Sequence, residues 1–244
     1  GGFKCHGMGG VVWGVIGGEI SRAWKPQKCL PRFSGVTGSN GRSKYPGWRF
    51  VMPLDLSLYL VTDYRISWEA SLQCIRNGIE GGVTAVQLRE KGKPVEEVRK
   101  NALALKHLLD PLGVPLIIND FLEVTRDVEA AGVHLGGADV TVKEARKFLG
   151  PDFRIGISVS SLSEMNEAPI DLCDYISASP VFPSFTKKDA APPLGIEGLE
   201  EIRANCELPL VAIGGIHTGN AGLVCSTGVD GICVVSAIFQ SEDP

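Results

Sequence analysis

Eight short apolar runs, separated by segments with helical spacing, constrain the fold of this sequence more than any other feature. Buried parallel strands read as brief runs of mostly apolar residues, because helices cover both faces of the sheet. The runs are four or five residues long, and they are Leu58–Thr62, Thr84–Leu88, Pro115–Asn119, Gly132–Leu135, Arg154–Ser158, Tyr175–Ser179, Leu210–Ile213 and Gly231–Val235. The pattern predicts eight parallel strands with helical crossovers between them.

The segments between these runs predict helices. Val95–Leu109 and Thr141–Leu149 place apolar residues three and four positions apart, and Thr141 with Glu144 has the spacing of a capping box. Strict alternation with eight strands favours a closed TIM (β/α)8 barrel. An open doubly wound sheet is the alternative, but no Gly-x-Gly-x-x-Gly turn follows the first run. Because the sequence stops at Pro244, soon after the eighth run, we expect the barrel to lack its final C-terminal helix.

Residues 1–57 differ in character from residues 58–244, to which we assign the barrel. The first fifty residues carry eight basic side chains and one acidic one, and twelve of the thirty glycines fall by residue 47. Without sustained periodicity, this composition predicts a low-complexity, disordered N-terminal extension. An organelle-targeting segment is the alternative, because the extension is basic and poor in acids. We expect a cytoplasmic protein, with organellar import as the alternative.

Charge and cysteine content limit the classes of partner. The 194 residues after position 50 carry sixteen basic and twenty-seven acidic side chains, whereas a nucleic-acid partner requires a basic face. The apolar stretch Met8–Ile20 is too short and glycine-rich to span a bilayer. Seven scattered cysteines, without zinc-type spacing, indicate reduced thiols in an intracellular protein. We therefore expect no nucleic acid and no membrane as partners, and small molecules as substrates.

Basic side chains follow two of the predicted strands. In a parallel barrel the chemistry lies on the loops at the carboxyl ends of the strands. Gln87 and Arg89 share one face of strand two by its period of two, and Lys91 follows them. Lys187 lies beside Thr186 in the loop after strand six. Each cation alone is more often a solvated side chain, but together they favour an oxyanion site.

Acidic residues at the ends of two neighbouring strands predict a metal site. Asp120 follows Asn119 at the end of strand three, and Asp139 follows strand four. Magnesium takes few protein carboxylates and completes its shell with water and phosphate oxygens, so the pair favours a bound diphosphate. The alternatives are a helix N-cap for Asp120 and a turn residue for Asp139.

Glycine and serine after the last two strands predict a second phosphate site. Gly214 and Gly215 let backbone N–H groups approach an anion, and Ser236 heads a short helix; a simple tight turn is the alternative. His134, within strand four, is more readily a satisfied interior residue than a catalyst. The sequence shows no Ser-His-Asp or Cys-His set, so we expect no covalent catalysis.

Read in order, these blocks strongly resemble the thiamine-phosphate synthase family over roughly residues 58–240. The Gln-Leu-Arg-Glu-Lys and Thr-Lys-Lys-Asp blocks are specific, whereas many phosphate-binding barrels share the Gly-Gly-Ile block. The matching blocks are Tyr59-Leu60-Val61-Thr62-Asp63, Gln87-Leu88-Arg89-Glu90-Lys91, Asn119-Asp120, Val133-His134-Leu135-Gly136, Pro180-Val181-Phe182 with Thr186-Lys187-Lys188-Asp189, Ala212-Ile213-Gly214-Gly215-Ile216 and Val234-Val235-Ser236-Ala237-Ile238.

The resemblance implies a Mg²⁺-dependent coupling reaction. The family joins 4-amino-2-methyl-5-hydroxymethylpyrimidine diphosphate to 4-methyl-5-(2-phosphoethyl)thiazole, giving thiamine phosphate and diphosphate, and is thought to pass through a pyrimidine-methyl cation. By this resemblance Arg89, Lys91 and Lys187 are catalytic, and Asp120 and Asp139 bind the metal. The implied substrate contacts are Gln87, Arg89, Lys91, Asn119, Ser158, Ser184, Thr186, Lys187, Gly215, Val235 and Ser236. A homo-oligomer is compatible with this assignment.

The sequence also departs from the family pattern. Gly137-Ala138 stands where the family usually has Gln and a polar residue, Phe121 replaces a common Arg or Tyr, and Ser184 replaces a frequent Thr. The main alternative is therefore a non-coupling thiazole-phosphate-binding regulator or thiazole tautomerase of the same fold. A phosphosugar isomerase or epimerase is a weaker alternative, because it usually needs a carboxylate acid/base pair or a catalytic His over the sugar. A ligand-free docking module is the weakest, because it does not need clustered cations at strand ends.

Overall fold

The strands form a closed parallel barrel in the computed structural model, which describes residues 54–136, 140–184 and 191–241. Each strand pairs with the next in sequence order, and β8 pairs with β1. The predicted TIM barrel is confirmed. The strands are β1 Leu58–Val61, β2 Ala85–Leu88, β3 Leu116–Asn119, β4 Gly132–Leu135, β5 Arg154–Val159, β6 Tyr175–Ala178, β7 Leu210–Ile213 and β8 Gly231–Val234.

A helix follows each strand on the outside of the barrel. The helices are α1 Trp68–Glu80, α2 Val95–Leu109, α3 Leu122–Asp127, α4 Val142–Leu149, α5 Leu162–Glu167, α6 Gly195–Asn205, α7 Ala221–Cys225 and α8 Ser236–Phe239. The single turn α8 is the short helix that the sequence predicts to begin at Ser236. No helix among the described residues has the length and apolarity needed to cross a bilayer.

The predicted capping box at the start of α4 is confirmed. Thr141 Oγ1 accepts a hydrogen bond from the Glu144 N–H at 3.2 Å, and Glu144 Oε2 accepts one from the Thr141 N–H at 3.0 Å. Two N–H groups that the first helical turn leaves unpaired are satisfied in this way. The cap therefore fixes where the chain turns from the β4 loop into the helix.

Two apolar clusters hold the barrel together. The larger one lies between the strands and the surrounding helices. The smaller one fills the barrel interior and consists of Leu56, Tyr59, Ala85, Ile117, Tyr175, Val211 and Cys233. Leu56 is 5% exposed and Leu54 packs against the same cluster, so residues just before β1 close the amino-terminal end of the barrel. The rest of the predicted N-terminal extension lies outside the described residues.

Glycines on three strands make room for large interior neighbours. Gly156 on β5 faces the ring of Tyr175, and a Cβ at that position would overlap the ring. Gly132 and Gly231 would likewise bring a Cβ against the backbone of Arg154 and Leu56. Since a Cβ has no space at any of the three positions, the strand spacing depends on glycine there.

We expect Gly156→Ala to destabilise the barrel, because its methyl group must displace the buried Tyr175 ring. Overpacking of this kind costs roughly 1–3 kcal/mol. Urea unfolding measures the effect. The matched control is Gly222→Ala in α7, where a Cβ meets nothing within 4 Å and alanine is the better helix former. Equal midpoints for the two variants would contradict the packing role of Gly156.

Candidate active site

A cavity opens at the carboxyl ends of the strands, as the barrel architecture predicts for a functional site. It collects side chains and backbone from the ends of all eight strands and from their loops. Nine of the residues predicted from the sequence line it, namely Gln87, Arg89, Lys91, Asn119, Ser158, Ser184, Gly215, Val235 and Ser236. The structure thus brings together residues separated by up to 149 positions in the sequence, while their individual roles stay predictions.

Three predicted site residues fall outside the described part of the chain. Asp139 belongs to residues 137–139, and Thr186 and Lys187 belong to residues 185–190. Lys188 and the departures from the family pattern at Gly137 and Ala138 lie there as well. Their participation in the site stays a prediction.

Arg89 reaches the cavity along the loop after β2. Its backbone N–H donates to Thr62 Oγ1 at 2.8 Å, and its guanidinium lies over the Tyr64 ring, 5.4 Å from the centroid. An arginine stacked on an aromatic face keeps its charge while its position is restricted. The loop therefore presents a fixed cation at the cavity wall.

Glu90 anchors the same loop on its other side. It is 5% exposed, its carboxylate lies 2.8 Å from Lys93 Nζ, and its Oε1 accepts a longer bond of 3.4 Å from Asn101 Nδ2 on α2. Because neighbouring side chains in extended chain point to opposite faces, Glu90 holds the loop against α2 while Arg89 and Lys91 line the cavity. The sequence analysis gave Glu90 no role, although its place between two cavity residues was visible.

Asp120 lies beside the cavity in an unusual backbone conformation. Its φ is 66°, and the Phe121 N–H donates to the Asn119 carbonyl at 2.9 Å across it. A non-glycine residue at positive φ is strained, and such strain clusters at functional sites. The N-cap alternative for Asp120 is wrong, because Phe121 occupies the N-cap position of α3 and Asp120 accepts other bonds.

The Asp120 carboxylate is already engaged by three donors. Lys91 Nζ forms an ion pair with Oδ2, Asn119 Nδ2 donates to Oδ2 at 2.6 Å, and the Gly136 N–H donates to Oδ1 at 3.1 Å. All three donor residues also line the cavity. The carboxylate is therefore oriented toward the site by the ends of β2, β3 and β4.

The donor set at Asp120 fits a magnesium ion that is shared with a phosphate ligand. Magnesium typically takes one or two carboxylates and completes an octahedron with water and phosphate oxygens. The described residues contain no group of three or more His, Cys, Asp or Glu side chains that could hold a metal by themselves. A site built on Asp120 must therefore take most of its oxygen ligands from elsewhere.

The glycine pair after β7 allows two loops to pack closely. Gly214 and Gly215 have φ values of 110° and 62°. A Cβ would lie 2.6 Å from Pro180 Cβ at the first and 2.7 Å from the Pro183 carbonyl oxygen at the second. The tight-turn interpretation therefore holds, and it does not conflict with a phosphate site, since Gly215 also lines the cavity beside Ser236.

A line of hydrogen-bonded side chains crosses the barrel beneath the cavity. Gln87 Nε2 donates to Tyr59 Oη at 2.9 Å, and Tyr59 Oη lies 3.0 Å from Tyr175 Oη. Tyr175 Oη lies 2.9 Å from His134 Nδ1, and His134 Nε2 lies 3.0 Å from Ser158 Oγ. The prediction that His134 is a satisfied interior residue is confirmed, because both ring nitrogens have partners.

Burial keeps this line of side chains uncharged. It lowers the pKa of His134 to about 4, against the opposing effect of the Asp120 charge. It also raises the pKa of both Tyr59 and Tyr175 above the ordinary tyrosine value. At neutral pH the imidazole is therefore neutral and both phenols keep their protons.

Comparisons with known proteins identify the family of this chain. The family model described as thiamine monophosphate synthase matches residues 58–238. The chain belongs to the thiamine monophosphate synthase family. The thiamine-phosphate synthase of Albidiferax ferrireducens is 46% identical over 190 residues, which cover 78% of this chain and 87% of that protein. The thiamine-phosphate synthase of Desulfitobacterium hafniense strain DCB-2 is 45% identical over 194 residues, or 79% and 94% of the two chains.

A solved structure of the thiamine monophosphate synthase family shares the architecture. The thiamine phosphate pyrophosphorylase from Pyrococcus furiosus superposes with a TM-score of 0.70 at 38% identity, covering 78% of this chain and 90% of that one. The family resemblance read from the sequence is thereby confirmed. The fold and the family rest on independent observations, one geometric and one from sequence.

We expect the protein to become less stable as the pH falls, because of His134. Its pKa of about 4 lies below the unfolded value of 6.5, so the unfolded state binds the proton first. The contribution of the neutral imidazole to folding stability is fully present above pH 6.5. About 3 kcal/mol of stability is lost as the pH falls from 6.5 toward 4. Urea unfolding at several pH values measures it, and in His134→Gln the loss over this range should shrink. An unchanged pH dependence in the variant would rule out this cause.

Proposed function

We propose that this protein is a transferase that couples 4-amino-2-methyl-5-hydroxymethylpyrimidine diphosphate with 4-methyl-5-(2-phosphoethyl)thiazole. The products are thiamine phosphate and diphosphate. The observation that carries the proposal is the convergence of Arg89, Lys91 and Asn119 with Gly215 and Ser236 around one cavity. One wall offers cations for a diphosphate, and the other offers backbone donors for a second phosphate. Membership of the thiamine monophosphate synthase family supports the same reaction.

The cationic wall stabilises the leaving diphosphate. Arg89 and Lys91 line the cavity, and Asn119 adds an amide donor at the end of β3. As the bond to the pyrimidine methylene breaks, negative charge grows on the departing oxygen, and donors already in place lower the barrier without reorganising. Lys187, from the loop after β6, is proposed to complete this set.

Asp120 would hold a magnesium ion on the diphosphate, together with Asp139. The ion supplies positive charge that neutralises the leaving group. Lys91 is the present ion-pair partner of Asp120, so a diphosphate that attracts Lys91 also frees the carboxylate for a cation. The carboxylate is held in place by the Gly136 N–H and the Asn119 amide.

The chemistry needs no protein nucleophile, because the thiazole nitrogen captures the pyrimidine-methyl cation. The one cysteine among the described cavity residues is Cys233, and burial raises the pKa of its thiol well above the ordinary value. A thiol that is not ionised is a poor nucleophile. The cavity therefore suits a reaction in which the protein binds, orients and neutralises charge.

The opposite wall would bind the thiazole phosphate. Gly215 follows β7, and Val235 and Ser236 lead into α8. The first N–H groups of a helix have no partner within the helix and suit an anion. Ser184, from the β6 loop, lines the cavity nearby and is proposed to contact the same substrate.

A non-coupling binder of thiazole phosphate is the competing function. Such a protein has no diphosphate for Arg89, Lys91 and Asp120 to neutralise, whereas here all three lie at or beside the cavity. Incubating the purified protein with both substrates and Mg²⁺ distinguishes the two functions. Diphosphate release that depends on the thiazole substrate supports coupling, and thiazole binding without release supports the binder.

We expect Asp120→Ala and Lys187→Ala each to reduce turnover at least about a hundredfold, since each removes a preorganised charge. Steady-state release of diphosphate measures both. The matched controls are Asp152→Ala and Lys143→Ala, which each remove an exposed residue of the same type outside the cavity. Near-normal turnover in either site variant would refute the role assigned to that residue.

Removal of divalent cations should abolish the coupling. We expect excess EDTA to reduce diphosphate release to background and added Mg²⁺ to restore it, because the leaving group loses its main counter-charge. Circular dichroism before and after chelation controls for unfolding. Full activity in EDTA would contradict a metal role for Asp120.

A further inference from the structure

The buried line of five side chains beneath the cavity begins and ends at cavity residues. Gln87, Tyr59, His134 and Ser158 line the cavity, and Tyr175, which completes the line, is fully buried. We propose that Tyr59, Tyr175 and His134 form a relay that couples the hydrogen-bonding directions of Gln87 and Ser158. Through it the cavity presents one acceptor and one donor to the substrate ring. Tyr59, Tyr175 and His134 are positioning residues. The identity of the substrate ring that they position rests on the proposed function.

The direction of the relay follows from its first bond. An amide nitrogen only donates, so Tyr59 Oη accepts from Gln87 Nε2. In the proposed relay Tyr59 gives its own proton to Tyr175 Oη, the hydroxyl 3.0 Å away. Tyr175 then gives its proton to His134 Nδ1. A neutral imidazole whose Nδ1 accepts carries its proton on Nε2, which donates to Ser158 Oγ. The Ser158 proton is left to donate into the cavity.

A single link cannot reverse alone. If Ser158 donated to His134, the imidazole proton would move to Nδ1 and every following bond would have to turn. Gln87 would then have to rotate its amide and accept from Tyr59. A chain reversed only in part leaves a buried proton or lone pair without a partner, which is unfavourable. The two ends of the relay therefore change together or not at all.

This direction of the relay matches a substrate ring that carries a hydrogen-bond donor next to an acceptor. Gln87 offers its Oε1 to the cavity as an acceptor, and Ser158 offers its O–H as a donor. A 4-aminopyrimidine carries an exocyclic N–H donor beside a ring-nitrogen acceptor, whereas its 4-oxo counterpart carries an acceptor beside a ring N–H. A site with fixed, buried partners discriminates strongly between such opposites. The relay therefore selects the amino form.

Comparing the two pyrimidine diphosphates tests this selection. Tyr59→Phe keeps the ring, removes the link between Gln87 and Tyr175, and lets the Gln87 amide rotate. We expect the ratio of kcat/KM for the 4-amino over the 4-oxo diphosphate to fall at least about tenfold. The matched control is Tyr64→Phe, which removes a phenol outside the relay and should keep the wild-type ratio. An unchanged ratio in Tyr59→Phe would overturn the proposal.

The tautomer of His134 tests the direction without any substrate. Long-range ¹H–¹⁵N correlation spectra at neutral pH, assigned with His134→Gln, should show the Nε2–H tautomer in the wild type. We expect Tyr59→Phe to keep it, because Tyr175 still donates to Nδ1, and Tyr175→Phe to lose it. An Nδ1–H tautomer in the wild type would overturn the stated direction.

The two measurements separate this relay from the proposed function. A wild-type protein that turns over neither diphosphate but shows the expected tautomer pattern would contradict the coupling reaction and support the relay. Normal coupling together with the Nδ1–H tautomer of His134 would support the coupling reaction and contradict the relay. If Tyr59→Phe does not fold, Tyr175→Phe cuts the chain at the next link, and the same fall in the ratio is expected.

Discussion

The length of the strands is the constraint on which the rest of this structure depends. Strands of four to six residues, with side chains alternating between the two faces, send only about two side chains each into the barrel. On most strands the first of these side chains belongs to the interior apolar cluster and the second lines the cavity. Ala85 and Gln87 on β2, and Ile117 and Asn119 on β3, are examples. The binding surface therefore rests directly on the interior core, with no layer of structure between them.

Because the cavity lies directly on the interior cluster, that cluster carries some polar groups. Tyr59 and Tyr175 fill space left by glycines such as Gly156, so their rings contribute to the core in the ordinary way. Their hydroxyls, however, are fully buried and must be paired. The pairing runs upward through Gln87 and through His134 to Ser158. Packing and recognition are thus carried by the same side chains, and a change in the interior cluster alters what the cavity presents.

Much of this could be predicted from sequence, because strand positions and cavity residues follow from local pattern. The apolar runs located all eight strands to within a residue or two, and the period of two placed Gln87 beside Arg89 on one face. The N-cap alternative for Asp120 was wrong, because Phe121 occupies the N-cap position of α3 and Asp120 has a φ of 66°. The Tyr59–Tyr175 contact joins residues 116 positions apart, so only the barrel closure reveals it. Glu90 was missed for a similar reason, since its partner Asn101 lies on α2.

The ion pair between Lys91 and Asp120 connects the two halves of the proposed chemistry. Lys91 is 44% exposed and Asp120 19% exposed, and an ion pair with this much contact with water contributes only about 0–1 kcal/mol. A diphosphate offers Lys91 more negative charge than one carboxylate does, and a divalent cation offers Asp120 more positive charge than one ammonium does. Either exchange alone leaves one member of the pair without its counter-charge. In the proposed reaction the two exchanges would favour each other, so diphosphate and magnesium would bind as a unit.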